Sequence, residues 1–263
     1  MKAKPTGTSL IPILLTGLVT AGLTWLARHY LQYEDMENDV GVWGGYFTVF
    51  GVIYAIVAGF LLVEVLGRYG SLSNTIEAEL NAIESLRDYL VYLGDEGKSS
   101  HSCIREALID YLKSVRDEEW AAMGSEEGMV DSDTSDELYA IMRSIKNSIE
   151  PSHTDGVVYA ALIDQSSEIA VQRTLRISLA NQKLPLRLRI LLIFMGVVLS
   201  AGFLLMPVMN LYVHLLMTTT LAMAIHLLSQ IIDDLDHPFH GVWNLDRTAL
   251  EQLIARFESN QPN

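Results

Sequence analysis

The chain has 263 residues, half of them hydrophobic, and 32 Asp and Glu against 18 Lys and Arg give it a formal net charge of -14. That balance lacks the basic footprint nucleic acid requires, so no nucleic-acid partner is expected. The single cysteine, Cys103, excludes an intramolecular disulfide framework and any multi-cysteine metal site.

Four segments are apolar enough to cross a bilayer. Leu10 to Ala27 is uncharged and just long enough to span. Its alternative is a cleaved signal peptide, because Lys2 and Lys4 precede it, but no small-x-small cleavage site follows. Trp43 to Leu66 is uncharged until Glu64, and as a helix it covers roughly 36 Å against a hydrocarbon core of about 30 Å. Ile190 to Met209 and Leu211 to Ile232 are separated only around Pro207 and Asn210, which makes them a tight helical hairpin. Residues 1–68 therefore hold two spans (10–27 and 43–66), and 189–235 hold two more (190–209 and 211–232). The lipid bilayer is the first expected partner.

Between the pairs lies an insert, 69–188, with helical rather than stranded periodicity. Thr75 to Leu93 puts Ile76, Leu80, Ile83, Leu86, Leu90 and Leu93 on one stripe. Ser102 to Met123 repeats the theme and closes in Glu118, Glu119 and Trp120. Gly124 to Asp133 has loop composition, and two further helices, 135–149 and 154–181, flank Pro151. From Tyr69 to Leu188 there are 11 Lys and Arg against 21 Asp and Glu, so the insert is an acidic helical bundle continuous with spans two and three. In the tail, 236–263, Pro238 stops the last span, and Leu250, Leu253, Ile254 and Phe257 form the apolar stripe of a short helix expected to pack on the bundle.

Basic residues near the spans set the orientation. Lys2, Lys4 and Arg68 flank the first pair, and Arg173, Arg176, Lys183, Arg187 and Arg189 crowd the approach to the third span. The loop from His29 to Val42 carries four acids and no Lys or Arg. Both termini and the insert are expected in the cytoplasm; Arg28 alone dissents.

Polar residues inside spans are candidates for function. Glu64 sits near the cytoplasmic end of span two, where a ring of copies would attract cations; the alternative is an i,i+4 pair with Arg68. His226 and Gln230, one turn apart in span four, and His214 suit either a polar path or interhelical hydrogen bonds. Asp233, Asp234, Asp236, His237 and His240 gather oxygen and imidazole donors, a set for a divalent cation or a solvated helix end. The sequence has no phosphate-cradling G-x-x-x-x-G-K-[ST], no H-E-x-x-H and no G-x-S-x-G, so an enzyme is not expected.

Asp236, Pro238, Phe239, Gly241, Leu245, Asp246 and Arg247 after the last span resemble the corresponding segment of bestrophins. The order of spans, insert, spans and tail matches too. Closer still is the bestrophin-like domain family of bacterial four-span proteins. The chain is similar to it in Glu79, Asn81 and Ala82, in Glu119 and Trp120, in Arg173 and Arg176, and in Pro185. The resemblance implies an all-α, bestrophin-like inner-membrane protein of bacteria. It further implies a homo-oligomer, pentameric in bestrophins, passing ions along a pore lined by span two. On span two, Phe47, Phe50, Tyr54, Val57 and Leu61 share one face at helical spacing and are the expected pore or gate residues, with packing against neighbouring helices as the alternative. The acidic surroundings favour monovalent cations as the permeant ions. Val242, Trp243 and Asn244 stand where bestrophins carry consecutive acids, so calcium dependence is not carried over and no cofactor is expected. The competing function is a membrane-anchored scaffold or sensor whose acidic insert binds a protein partner without conducting ions.

Overall fold

A computed structural model describes residues 10–30, 40–93, 98–123, 133–148, 156–239, 243 and 245–259. Every regular element among them is helical: α1 (Leu10–Tyr30), α2 (Val40–Leu90, ending in the 3-10 turn Val91–Leu93), α3 (Lys98–Ser114), the π-helical turn Val115–Glu119, α4 (Trp120–Met123), α5 (Asp133–Ser148), α6 (Gly156–Ala180), α7 (Leu186–Leu205), α8 (Leu211–Asp236) and α9 (Thr248–Ser259). Among the described residues, four helices are long and apolar enough to cross a membrane: α1, the first part of α2, α7 and α8. The loop expected over 124–133 and the break around Pro151 lie largely outside the described residues.

The chain divides into two compact units, one of residues 1–67 and 183–243 and the other of 68–182 and 244–263. In the first unit α1 and α7 pack on α8, with small residues at the closest approaches. A Cβ on Gly17 would press on Met223 and Thr219, and one on Gly196 would lie 2.8 Å from Ile225 Cγ2. Such approaches are how apolar helices associate where lipid removes the hydrophobic driving force. The hydroxyls in α1 bond back one turn: Thr20 to the Thr16 carbonyl at 2.7 Å and Thr24 to that of Thr20 at 2.8 Å. Thr24 and Thr218 also share a 3.0 Å bond between helices.

Arg28 has a local use. Its Nη1 donates to the Val208 carbonyl at 2.7 Å, and its Nη2 donates to that of Met209. The turn between α7 and α8 leaves carbonyls outside any helical ladder, and a guanidinium satisfies two at once. Asn210 caps α8 by accepting from Tyr212 N at 2.9 Å.

The second unit is a helical bundle whose core contains Leu86, Ile104, Leu108, Leu112, Ile141, Leu162 and Ile169. The tail helix α9 belongs to this unit and packs on α3. It buries Leu250, Leu253, Ile254 and Phe257, each contributing about 1.5–3 kcal/mol by area removed from water. Arg87 lies over the Phe257 ring at 5.1 Å, and Lys113 pairs with Glu258 at 2.8 Å.

The helix α2 has 51 residues, about 76 Å at 1.5 Å per residue, and so far exceeds one hydrocarbon thickness. The sequence marks an apolar span, 43–66, and an amphipathic stretch, 75–93, in a bundle expected to continue from the span, and the two lie on one helix. Gly67 and Gly70 between them carry no break, because an isolated glycine weakens a helix by only about 1 kcal/mol.

Candidate functional site

Two faces of α2 differ sharply in the first unit. Phe47, Tyr54, Ala58, Leu61 and Val65 are buried. The Phe47 ring lies 5.9 Å from that of Phe203, and a Cβ on Gly202 would overlap it. Tyr54 faces Gly196, whose added Cβ would come within 3.7 Å of the ring. Of the five aromatic and aliphatic residues expected at the pore, Phe47, Tyr54 and Leu61 are thus packing side chains within the chain, while Phe50 and Val57 are half-buried. Large side chains seat against the glycines of α7, and that contact turns this face inward.

The opposite side of α2 is open. Val49, Val52, Ile53, Ile56, Phe60 and Val63 are all exposed, Phe60 to 73 %. Val52, Ile56, Phe60 and Glu64 follow one another at four-residue spacing, and Glu64 is exposed too. Four-residue steps keep side chains on one slowly drifting face of a helix.

In the second unit the residues behind the family resemblance converge. Arg176 on α6, 1 % exposed, donates from Nε to Glu79 Oε2 on α2 at 2.6 Å and from Nη2 to Glu119 Oε2 at 2.6 Å. Its Nη1 meets Met123 Sδ at 3.4 Å. Arg173, one turn earlier, donates from Nε to Glu119 Oε1 at 2.8 Å, and its Nη2 bonds the same oxygen. Tyr111 on α3 donates to Glu79 Oε1 at 2.5 Å. Two carboxylates and two guanidiniums thus balance, and every carboxylate oxygen accepts at least one hydrogen bond, the condition under which buried charges are tolerated. Glu119 closes the π-helical turn, whose extra residue per turn displaces the side chains that follow it. The adjoining Trp120 is buried, with the Arg247 guanidinium 5.5 Å from its ring centroid.

Burial, then the negative charge of Glu79, hold the Tyr111 phenol well above its ordinary 10.0 despite the opposing effect of Arg176. Burial works to lower the Arg176 pKa, but Glu79 and Glu119 outweigh it, so that pKa rises. Arg173 and Arg176, counted from sequence among the membrane-flanking cations, are therefore the counter-ions of this network. Glu79, Glu119, Trp120, Arg173 and Arg176 serve one structural centre. Asn81 does not, since it is exposed.

The acidic end of α8 is engaged locally. Arg189 bonds Asp233 Oδ1, and Asp236 Oδ1 accepts from Leu184 N at 2.8 Å. His237 Nδ1 faces the Asp233 carbonyl at 2.9 Å. Among the described residues no three His, Cys, Asp or Glu side chains converge as metal ligands; His240 and Gly241 lie outside the described residues. Pro238 and Phe239 form the turn after α8, with Phe239 buried. His214 Nε2 bonds the Phe203 carbonyl on α7 at 3.1 Å. His226 and Gln230 line a cavity of about 170 Å³ with Leu192, Ile193, Arg189 and Asp233, and their Nε2 and Oε1 atoms have no hydrogen-bond partner among the described residues.

Similar folds are found among solved structures. A bacterial bestrophin homologue from Klebsiella pneumoniae, solved by zinc phasing, superposes with a TM-score of 0.76 at 16 % identity, over 95 % of this chain and 100 % of that one. A point variant of the Klebsiella homologue gives 0.77 at 16 % identity, over 95 % and 99 %. Another structure, described as a membrane protein, gives 0.78 at 16 % over the same shares. At that identity the agreement establishes the fold. No curated protein matches the sequence significantly. The profile of the Bestrophin-like domain matches residues 14–250, nearly the whole chain, and the protein belongs to that family.

Proposed function

We propose that the protein is a homo-oligomeric channel for small monovalent ions, preferring cations, with the open side of α2 from each copy walling the pore. Family membership implies an ion channel. The observation that carries the pore assignment is the apolar row Val52, Ile56 and Phe60, exposed in the protomer and leading to Glu64. A ring of such helices makes a narrow apolar constriction that gates by dewetting, and a ring of glutamates beside it favours cations. A pentamer is the assembly that the likeness to bestrophins supports. On α6, Val157, Ile163, Val171 and Leu175 are also exposed, an apolar face in the extramembrane unit that suits contact between copies.

On this reading the second unit and both termini lie on the cytoplasmic side of a bacterial inner membrane. Lys183 and Arg187 are exposed just before the third span, whereas the turn Met206–Asn210 has no charge. Chemistry on a bound substrate has no part in this reading. The test is purified protein in planar bilayers under a KCl gradient, with the mass of the detergent-solubilised complex measured alongside. A ring-sized complex with currents reversing near the potassium potential supports the channel. Chloride-selective currents overturn the cation preference, and a silent monomer or dimer favours the scaffold.

A further inference from the structure

Within the extramembrane unit α2 again has a buried and an open side. Leu72, Thr75, Glu79, Ala82, Ile83, Leu86 and Leu90 are buried, and Asn74, Glu77 and Asn81 are exposed on the other side. The buried charge network fixes this azimuth, because Glu79 is tied to Arg176 and Tyr111. Two residues further on, Asn81 lies about 200° round the helix and is turned outward. Its place in the E-x-N-A stretch is therefore not explained by packing. Asn74, Glu77 and Asn81 stand at i, i+3 and i+7, and none makes a side-chain hydrogen bond or ion pair with another of the described residues.

Glu77 and Asn81 also line a groove of about 310 Å³ between α2 and α9. Its other charged residues, Glu84 and Arg256, bond each other at 3.2 Å, and Glu84 is shared with Arg87 at 3.4 Å. The uncompensated charge in the groove is that of Glu77. One carboxylate flanked by two amide carbonyls offers hard oxygen donors, the chemistry that replaces part of a small cation's hydration shell.

We propose that Asn74, Glu77 and Asn81 form a second cation-selecting ring, outside the membrane and separate from Glu64. The ring is completed only when several copies of α2 come together, so it rests on the channel reading. Cations collect at Glu77, and Asn74 and Asn81 hold them along the helix.

The test reconstitutes Glu77→Gln, Glu77→Lys and Asn81→Leu beside the wild type and measures reversal potentials under a KCl gradient. The potassium-to-chloride permeability ratio should fall severalfold in Glu77→Gln and in Asn81→Leu and move toward anions in Glu77→Lys. The change should be larger at low ionic strength, where screening is weaker. Because these side chains are exposed and unbonded, the variants should elute and melt like the wild type. If Glu77→Lys fails to assemble, the near-isosteric Glu77→Gln decides alone. A conducting wild type whose ratio none of these variants changes overturns the ring and leaves the channel standing. A wild type that never conducts overturns both.

Discussion

Arg176 Nε lies 2.6 Å from Glu79 Oε2, joining residues 97 apart in sequence in a site where both side chains are almost fully buried. One end of this bond is on α2, the helix whose earlier residues span the membrane, and the other is on α6. Removing one partner leaves a buried charge without compensation, which costs about 3–5 kcal/mol. Arg176→Met and Glu79→Leu should each lower the thermal midpoint steeply, while the double variant recovers part of the loss. Arg176→Lys should not rescue, because one ammonium cannot reproduce a fork shared between two glutamates. Thermal unfolding in detergent checks all four.

The same site gives a pH prediction. Tyr111 is protonated in the fold and its pKa is raised above the ordinary 10.0, burial being the main cause. Its contribution to stability is therefore fully present below pH 10 and lost as the pH rises further, because the unfolded chain releases the proton first. Arg176, also raised, acts in the same direction at still higher pH. Melting curves from pH 7 to 11 should be flat at first and then fall. Tyr111→Phe should start lower, having left Glu79 Oε1 short of a donor, and fall less steeply above pH 10.

The seat of Phe47 can be tested by size. Gly202→Ala places a methyl group inside the Phe47 ring, an overpacking expected to cost about 1–3 kcal/mol. Phe47→Leu in the same chain should restore much of the stability. Equal melting temperatures for Gly202→Ala and the wild type would show that α2 does not pack on α7 through this pair.

Much of the architecture was legible in the sequence, for physical reasons. Continuous apolar runs announce spans because nothing else tolerates them, and the i, i+3, i+4, i+7 stripe of Leu250, Leu253, Ile254 and Phe257 announces α9. Which face of span two packs was not legible. Phe47, Tyr54 and Leu61 are no more hydrophobic than Val52, Ile56 and Phe60, so periodicity cannot separate a packed face from an open one. The deciding partners are Gly196 and Gly202, more than a hundred residues away. The π-helical turn before Trp120 had no signal in composition. Arg173 and Arg176 did have one, in two acidic motifs elsewhere in the chain, but their nearness to a span drew them into the count of membrane-flanking cations.

Arg28 offers a further test of the first unit. Arg28→Gln removes both of the donors to the Val208 and Met209 carbonyls and should loosen the hairpin turn. Hydrogen exchange should quicken at the start of α8 with little change in the second unit. Uniformly faster exchange would mean that the arginine supports the whole protein instead of the turn.

In the proposed channel the open side of α2 faces the ions and the packed side does not. Cys103 is the sole cysteine, so a Cys103→Ser background allows single thiols to be placed at will. Ile56→Cys and Phe60→Cys are compared with Phe47→Cys and Tyr54→Cys in bilayers, before and after a charged thiol reagent. Current should be lost rapidly at positions 56 and 60 and not at 47 and 54. Loss at 47 and 54 with positions 56 and 60 untouched would put the packed side of α2 on the ion path instead.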